Sequence, residues 1–368
     1  MNPTPFNAIE STAGERAGRF AFVAPLHPGA SNWPWLSQIG PMRRHSWSAT
    51  YIEHTFARWG SRGEKLSKPW ARWQYVRAMR AIARADLAFL FSTDINVGMT
   101  RWPSRMFRRP KRIYVGFTQD GPWPQEKIDL LAGAMRQLDA VTVFSEDERQ
   151  LYLSRYGLEP ARTHLIPIHT DEMGDYSQYP DQLPADAPAG LKQGEFVLSL
   201  GSPNRRFTPI ARACQELKVP LVIITRPWHK NDSLDDLAKM GATIITNADK
   251  MKSLTYLRCA KAAVMAFETD QLPGAFTTLI HGMFMKTPSV VTSCLGMSDY
   301  VVSGENGLVT PHGDEAALRS AIERTWNEPG LAQRMGDAGY ARAQRLYSLE
   351  AAATMHEALA QKVLRSAT

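Results

Sequence analysis

No stretch of this 368-residue chain holds the about 18 consecutive apolar residues that a membrane-crossing helix needs, so a span is not expected. Cysteine is scarce. Cys214, Cys259 and Cys294 are scattered without the spacing of a disulfide framework or a zinc ligand set, which points to reduced core thiols in a cytoplasmic setting. Low-complexity tracts and fixed-period repeats are missing as well, which excludes solenoids and arrays. The first residues lack the charged-then-apolar order of a secretory leader, so none is expected, and 1–18 read as a flexible tail. No Asp-x-Asp follows a strand-like run. The pair Asp235-Asp236 falls inside the helical pattern Leu234, Leu237, Met240 and faces solvent, so no metal is expected.

What is present is enough apolar residue for real cores, 44%, over a length that suits two domains. The net charge of +7 is uneven. Between 41 and 113 there are sixteen Lys and Arg against four acids (Glu53, Glu64, Asp86 and Asp94), an excess of twelve. Trp47, Trp59, Trp70, Trp73, Tyr75 and Trp102 are interleaved with them. Such a mixture suits an anionic membrane surface or an acidic acceptor, with nucleic acid the less favoured partner; a solvated basic face with inward aromatics is the alternative.

Along the chain, short apolar runs alternate with helical patterns, the mark of parallel sheets covered on both faces. The strand-like runs are 19–25, 86–91, 112–117, 140–144 and 164–168, then 196–200, 219–225, 242–246, 262–267 and 289–293. Pro69–Ala85 reads as a basic amphipathic helix with Trp70, Trp73, Val76, Met79 and Ile82 on one face. Ser145 is placed to cap a helix that ends at Gly157. Pro, Asp and Ala crowd the segment before 194, a linker by composition. In doubly wound domains the ligand lies at the carboxyl ends of the strands. Gly29 and His27, just after the first strand, are therefore candidates on the acceptor side, and Arg226, just after 219–225, is a candidate beside a nucleotide base.

The stretch Leu272–Pro311 organises the second half. Leu279, Ile280, Met283 and Phe284 keep helical spacing behind Gly274 and Thr277-Thr278, Pro288 stops that helix, and Ser289–Ser293 is a β-branched run. A helix opened by a glycine turn aims unpaired N–H groups and its positive dipole end outward, a site for phosphate or a polar sugar. Thr287-Pro288-Ser289-Val290-Val291-Thr292, Gly296, Asp299-Tyr300, Gly304-Glu305-Asn306-Gly307-Leu308-Val309-Thr310-Pro311 and Asp314 follow in order. Together they resemble the donor half of GT-B fold glycosyltransferases, family 4-like (glycosyl transferases group 1). The family's pair of glutamates flanking seven residues is not intact: His281 stands at the second position, and the first falls at Pro273 with Glu268 and Asp270 nearby.

The resemblance implies an α/β chain of two Rossmann-like domains facing each other across a cleft. It divides the chain into an acceptor-binding domain at 19–178, a linker at 179–193, a nucleotide-sugar-binding domain at 194–346 and a final helix at 347–368 packing back on the first domain. It implies that the glycine after a strand, Gly201, precedes cations for the donor diphosphate. Ser202 stands where the family has its first cation, and one of Arg205 and Arg206 takes the second. Gly274, Thr277 and Thr278 then meet phosphate or sugar, and His281 stands where the ribose is held. Asp120 is the candidate catalytic base, or else the first residue of an Asp-Gly-Pro turn. Asp299 and Tyr300 read as a helix cap.

The expected function is metal-independent transfer of a sugar from a nucleotide-diphosphate donor to a glycan, lipid-linked or other surface-polysaccharide acceptor. The nucleotide sugar is a co-substrate and no cofactor is required. The expected location is cytoplasmic, peripheral on the inner face of the membrane. A nucleotide-sugar epimerase of the same fold stays open, as does a non-catalytic glycan- or nucleic-acid-binding module.

Overall fold

A computed structural model describes residues 17–26, 40–53, 69–91, 110–116, 124–169, 176–201, 204–246 and 248–366. The chain divides into two compact units, Met1–Pro167 with Leu349–Thr368, and Ile168–Ser348. The break at Pro167 precedes the end at 178 that the resemblance implies. The reason is local packing: the Ile168 N–H donates to the Tyr300 hydroxyl (3.0 Å), and Tyr176 stacks on Phe284 at 4.8 Å, all within the second unit.

The first unit's described strands are β1 (Arg19–Leu26), β2 (Ser46–Glu53), β3 (Leu87–Leu90), β4 (Lys111–Tyr114), β5 (Ala140–Val143) and β6 (Thr163–Leu165). They form a parallel sheet in the order β2-β1-β3-β4-β5-β6. Alternation sorts the side chains. Ala21, Val23, Ala88 and Leu90 face helices α1 (Pro69–Arg84), α2 (Gln125–Met135) and α3 (Glu146–Tyr156), while Phe20, Phe22, Leu87 and Phe89 face the other way. Each buried Val, Leu or Phe among them contributes roughly 2 kcal/mol, and each Ala less. Helix α3 begins with a reciprocal cap: Ser145 Oγ accepts from the Glu148 N–H (3.2 Å), and Glu148 Oε2 accepts from the Phe144 N–H (3.0 Å). Gly157, with φ +58, closes it in the left-handed conformation.

Two sequence expectations change here. Strand β2 lies inside the basic run, where charge hides the alternation; its Trp47 packs edge-on to Phe20 (5.3 Å) and stacks with Phe89 (5.8 Å). The expected single apolar face of α1 splits. Met79 and Ile82 are buried, whereas Trp73 is 57% and Val76 45% exposed. Repeated steps of three residues drift by about 60° each on a 3.6-residue turn, so Trp73 and Ile82 point to opposite sides.

The second unit repeats the plan. Its strands are β7 (Val197–Leu200), β8 (Leu221–Thr225), β9 (Thr243–Thr246), β10 (Ala262–Met265), β11 (Ser289–Thr292) and β12 (Gly307–Thr310), all parallel, in the order β12-β11-β10-β7-β8-β9. Strands β8, β10 and β11 are buried along their whole length, as parallel strands covered on both faces must be. The helices are α4 (Thr208–Leu217), α5 (Leu234–Lys239), α6 (Lys250–Cys259), α7 (Phe276–Phe284), α8 (Met297–Tyr300), α9 (Glu315–Asn327) and α10 (Leu331–Leu346).

Helix α11 (Leu349–Arg365) belongs to the first unit, where Leu349, Ala352, Ala353, Leu359 and Ala360 cover the Phe20/Phe22/Phe89 face. A buried charge fixes it. Glu357 accepts from His45 Nε2 (2.7 Å), from Gln361 (2.9 Å) and from Arg44. The Gly18 N–H donates to His45 Nδ1 (3.0 Å), so the ring's proton sits on Nε2. Burial pushes the Glu357 carboxyl up, but these hydrogen bonds outweigh it and hold it below its usual value. Among the described residues no helix is long and apolar enough to cross a membrane.

His164 on β6 is an acid-sensitive group of this unit. Burial, helped by Lys362 of α11 and Arg149 of α3, lowers it from 6.5 to about 4. Below pH 6.5 the unfolded chain therefore takes up a proton that the folded one refuses, so stability is lost as pH falls from 6.5 towards 4 and levels off beneath. His164→Gln should flatten the fall of melting temperature over that interval; a slope equal to the parent's would reject this assignment.

Candidate functional site

Both sheets reverse their winding at one point. In the second, β7 leads to β8 and β9 on one side, and the chain then returns through β10 to β11 and β12 on the other. The crevice outside the carboxyl ends of β7 and β10 is where a doubly wound sheet offers its loops to a ligand. Those loops are stitched together. Arg205 and Phe267 form an antiparallel bridge, and the Arg206 N–H donates to the Ala266 carbonyl (3.0 Å). Asn204 adds a reciprocal pair: its Nδ2 donates to the Thr269 carbonyl (3.2 Å), and its Oδ1 accepts from the Thr269 N–H (3.0 Å).

A single carboxylate sets the start of α4. Asp232 accepts from the backbone N–H groups of Phe207 (2.8 Å) and Thr208 (3.0 Å), from the Thr208 hydroxyl and from His229 Nε2 (3.0 Å). It acts as a cap donated from a distant loop, since Phe207 at the cap position has no side-chain oxygen. Burial raises the carboxyl, and the four hydrogen bonds outweigh it, leaving Asp232 below its ordinary value. The turn 204–207 is thereby fixed from both ends.

That turn separates the two candidate arginines. Arg205 is 5% exposed, and its guanidinium carbon lies 5.1 Å from the Phe267 ring centre while Nε donates to the Leu200 carbonyl (3.2 Å). Burial brings its pKa down to about 10, so it stays charged at neutral pH. Gly201, at φ +112, lies against the same guanidinium; a Cβ there would stand 3.1 Å from Nη2. Gly274 passes the same ring so closely that a Cβ would be 2.8 Å from Phe267 Cε1. Phe267 thus brings Gly201, Arg205 and Gly274 together. Arg206 turns elsewhere: its Nη1 meets Glu268 at 3.3 Å, and its Nε lies 4.0 Å from Asp232.

From Gly274 the chain runs through Ala275, in the left-handed conformation at φ +64, straight into α7, whose first turn no side chain caps. Among the described residues no side chain caps its N–H groups, and Thr277 is exposed and Thr278 half-buried in that turn. The end is anchored from beneath. Phe276 stacks on Tyr300 (4.2 Å), Tyr300 stacks on Tyr347 (5.2 Å), and Arg342 Nε donates to the Tyr347 hydroxyl (3.1 Å). Burial pushes the Tyr347 phenol up to about 12, so it stays protonated.

Other candidates sit apart from this cluster. Arg226 is exposed at the end of β8, 5.5 Å from the ring of Trp228, itself 63% exposed. His281 is 5% exposed on α7, and its Nδ1 lies 2.8 Å from the Tyr176 hydroxyl. Asp299 and Tyr300 make no side-chain cap; Gly296 occupies the cap position at φ +77, and both residues lie within the short turn it starts. Asp120, Gly29 and His27 lie outside the described residues. A cavity of about 120 Å³ beside the cluster is lined by Arg206, Phe267, Glu268, Thr292 and His312. Among the described residues no group of three or more His, Cys, Asp and Glu side chains is gathered for a metal.

Sequence reasoning missed Phe267 and Asp232. A strand ending in Ala-Phe-Glu hints at the first; nothing local signals the second. Asp232→Ala should cost about 2 kcal/mol of the second unit's stability, from a lost cap and orphaned N–H groups. Urea unfolding checks it, and Asp232→Asn should recover part of the loss; an unchanged midpoint for the alanine variant would reject the cap.

Residues 199–328 match the family model of the glycosyl transferases group 1. The putative glycosyltransferase EpsD of Bacillus subtilis (strain 168) is 31% identical over 216 residues, 54% of this chain and 54% of that protein. The chain thus matches about half the length of that curated relative. Sucrose-phosphate synthase (tll1590) from Thermosynechococcus elongatus superposes with a TM-score of 0.66 at 17% identity, covering 96% of this chain and 100% of that one. Anabaena Alr3699/HepE, crystallised in complex with UDP, gives 0.67 at 13% identity, covering 93% and 99%. At such identities the solved structures speak for the fold. Residues 199–328 of the second unit are thus similar to the glycosyl transferases group 1, and the chain carries the fold of the GT-B glycosyltransferases.

Proposed function

We propose that this chain is a glycosyltransferase that takes a sugar from a nucleotide-diphosphate donor and passes it to a glycan, lipid-linked or other surface-polysaccharide acceptor. The observation that carries the reading is the cluster of Gly201, Arg205, Phe267 and Gly274 at the reversal of the second sheet, opening into the uncapped start of α7. Its chemistry suits a diphosphate. A guanidinium offers paired N–H donors to phosphate oxygens, and a helix start offers more. Alr3699/HepE, which shares the fold, was crystallised with UDP and with UDP-glucose, which supports a nucleotide sugar as the ligand.

In this reading the departing diphosphate gains negative charge as the glycosidic bond stretches, and the fixed donors stabilise that charge more than they stabilise the bound substrate. Arg205 supplies the cation. Arg206 is the weaker candidate because Glu268 and Asp232 already draw on its charge. Thr277 and Thr278 add hydroxyls for phosphate or sugar, and the positive charge of arginine and helix end takes the place of a metal. His281 would act on the ribose side through the helix it shares with them. Arg226 with Trp228 offers an exposed cation and ring for the base. Acceptor binding falls to the first unit, where His27 and Gly29 follow β1 and Asp120 is the base if the anomeric centre inverts.

Calorimetric titration with UDP, GDP, ADP and TDP should give saturable binding for one nucleotide. Arg205→Ala should weaken it by about 1–3 kcal/mol and Arg206→Ala by less. Equal affinity for the Arg205 variant and the parent would overturn the assignment. Asp120→Asn should leave nucleotide affinity intact and lower sugar transfer, followed as nucleotide release from the matching nucleotide sugar; a loss of affinity instead would reject Asp120 as the base. Conversion of the donor sugar with the nucleotide still attached would mark an epimerase and contradict the transferase reading.

A further inference from the structure

A groove of about 530 Å³ runs between α1 and the starts of β1 and β2. Arg19, Arg77, Arg80 and Arg84 line it with Trp47, and none of the described lining residues is acidic. Arg19 pairs with Asp86 (3.1 Å). Among the described residues no carboxylate pairs with Arg77, Arg80 or Arg84. Three of the four arginines form one stripe with Trp73, at positions 73, 77, 80 and 84 along α1, a spacing that keeps them on one side of a helix. Trp73 and Val76, 57% and 45% exposed, stand at the amino-terminal end of that stripe, with the Arg77 guanidinium 5.6 Å from the Trp73 ring.

The groove's position matters as much as its charge. In a parallel sheet the first residues of all strands lie on one edge. Arg19, Ser46 and Lys111 begin β1, β2 and β4, so the groove is on the amino edge. A second cavity of about 570 Å³ on that edge is lined by Lys111, Arg136, Arg162 and Lys362, with Asp139 an acid among the described lining residues. Ligands of doubly wound sheets take the opposite, carboxyl edge. These cations are therefore surplus to a reaction at the winding reversal.

We propose that the outward face of α1, with the groove beside its carboxyl-terminal half, docks on an anionic phospholipid surface. Headgroup phosphates enter the groove among Arg77, Arg80 and Arg84, and Trp73 and Val76 enter the interfacial layer. A soluble polyanion would satisfy the arginines but leave an exposed tryptophan and valine in water; a lipid surface accepts both. The proposal is independent of what the second unit binds.

The test is flotation of the full chain with vesicles of phosphatidylcholine alone, or of phosphatidylcholine and phosphatidylglycerol in equal parts. Binding is expected to the mixed vesicles only, and to fall with added salt. Each arginine facing an anionic leaflet is worth roughly fivefold in affinity, so the double variant Arg80→Gln/Arg84→Gln should bind about thirtyfold more weakly. Trp73→Ala should also weaken binding while leaving its salt dependence in place. All three side chains are exposed, and unchanged melting temperatures would confirm intact folding. Equal binding to both vesicle types, or no effect of the double variant, would overturn the proposal. Retention on a sulfated polysaccharide column without vesicle binding would overturn it too, assigning the arginines to a soluble polyanion.

Discussion

Four hydrogen bonds converge on the carboxylate of Asp232, and the geometry of the second unit's working edge follows from them. They hold Phe207 and Thr208 at the mouth of α4, which sets the two preceding residues. Arg205 is then directed inward onto Phe267, and Arg206 outward to Glu268. The bridge between Arg205 and Phe267 ties the loop after β7 to the loop after β10, so the two strands at the winding reversal present one surface. Phe267 in turn limits what can pass beside it: only a residue without a Cβ fits at 274. The chain that follows begins α7 with no side-chain cap among the described residues.

Charge is handled differently in the two units. In the second, a guanidinium is kept under cover at the sheet edge; burial lowers its pKa to about 10 without discharging it. A charge held in low-dielectric surroundings acts more strongly on an anion than the same charge in water. In the first unit the described cations of α1 remain on the surface, and one buried charge is structural: Glu357 of α11 closed on His45 and Arg44. Removing one partner of such a buried pair is costly, so the final helix is committed to the sheet it covers.

Much of the architecture was legible in the residues. The buried strands β3, β5, β8, β10 and β11 are near-continuous apolar runs, and the Ser145–Glu148 cap is a local motif that forms as read. The turn around Gly274 was legible too, because glycine followed by two threonines and an apolar helix is a local signal. What failed to show depends on distant partners. Strand β2 was hidden by its flanking charges, and the outward turn of Trp73 followed from helical drift that an eye for three-residue steps overlooks. Asp232 caps a helix 24 residues away in sequence, which no local spacing reveals. Likewise, Arg205 and Arg206 are equivalent in the sequence and are told apart only by Phe267 and Glu268. Position 281 is a helix residue by pattern, but its tie to Tyr176 spans 105 residues.

The central claim is that a nucleotide diphosphate is gripped by buried Arg205 and the first turn of α7. A crystal structure of the chain with the nucleotide it binds most tightly tests it directly. The account predicts diphosphate oxygens within hydrogen-bonding distance of the Arg205 guanidinium and of backbone N–H groups in that first turn. Density for the nucleotide away from both, or an Arg205 side chain that stays on Phe267 without touching phosphate, would contradict it.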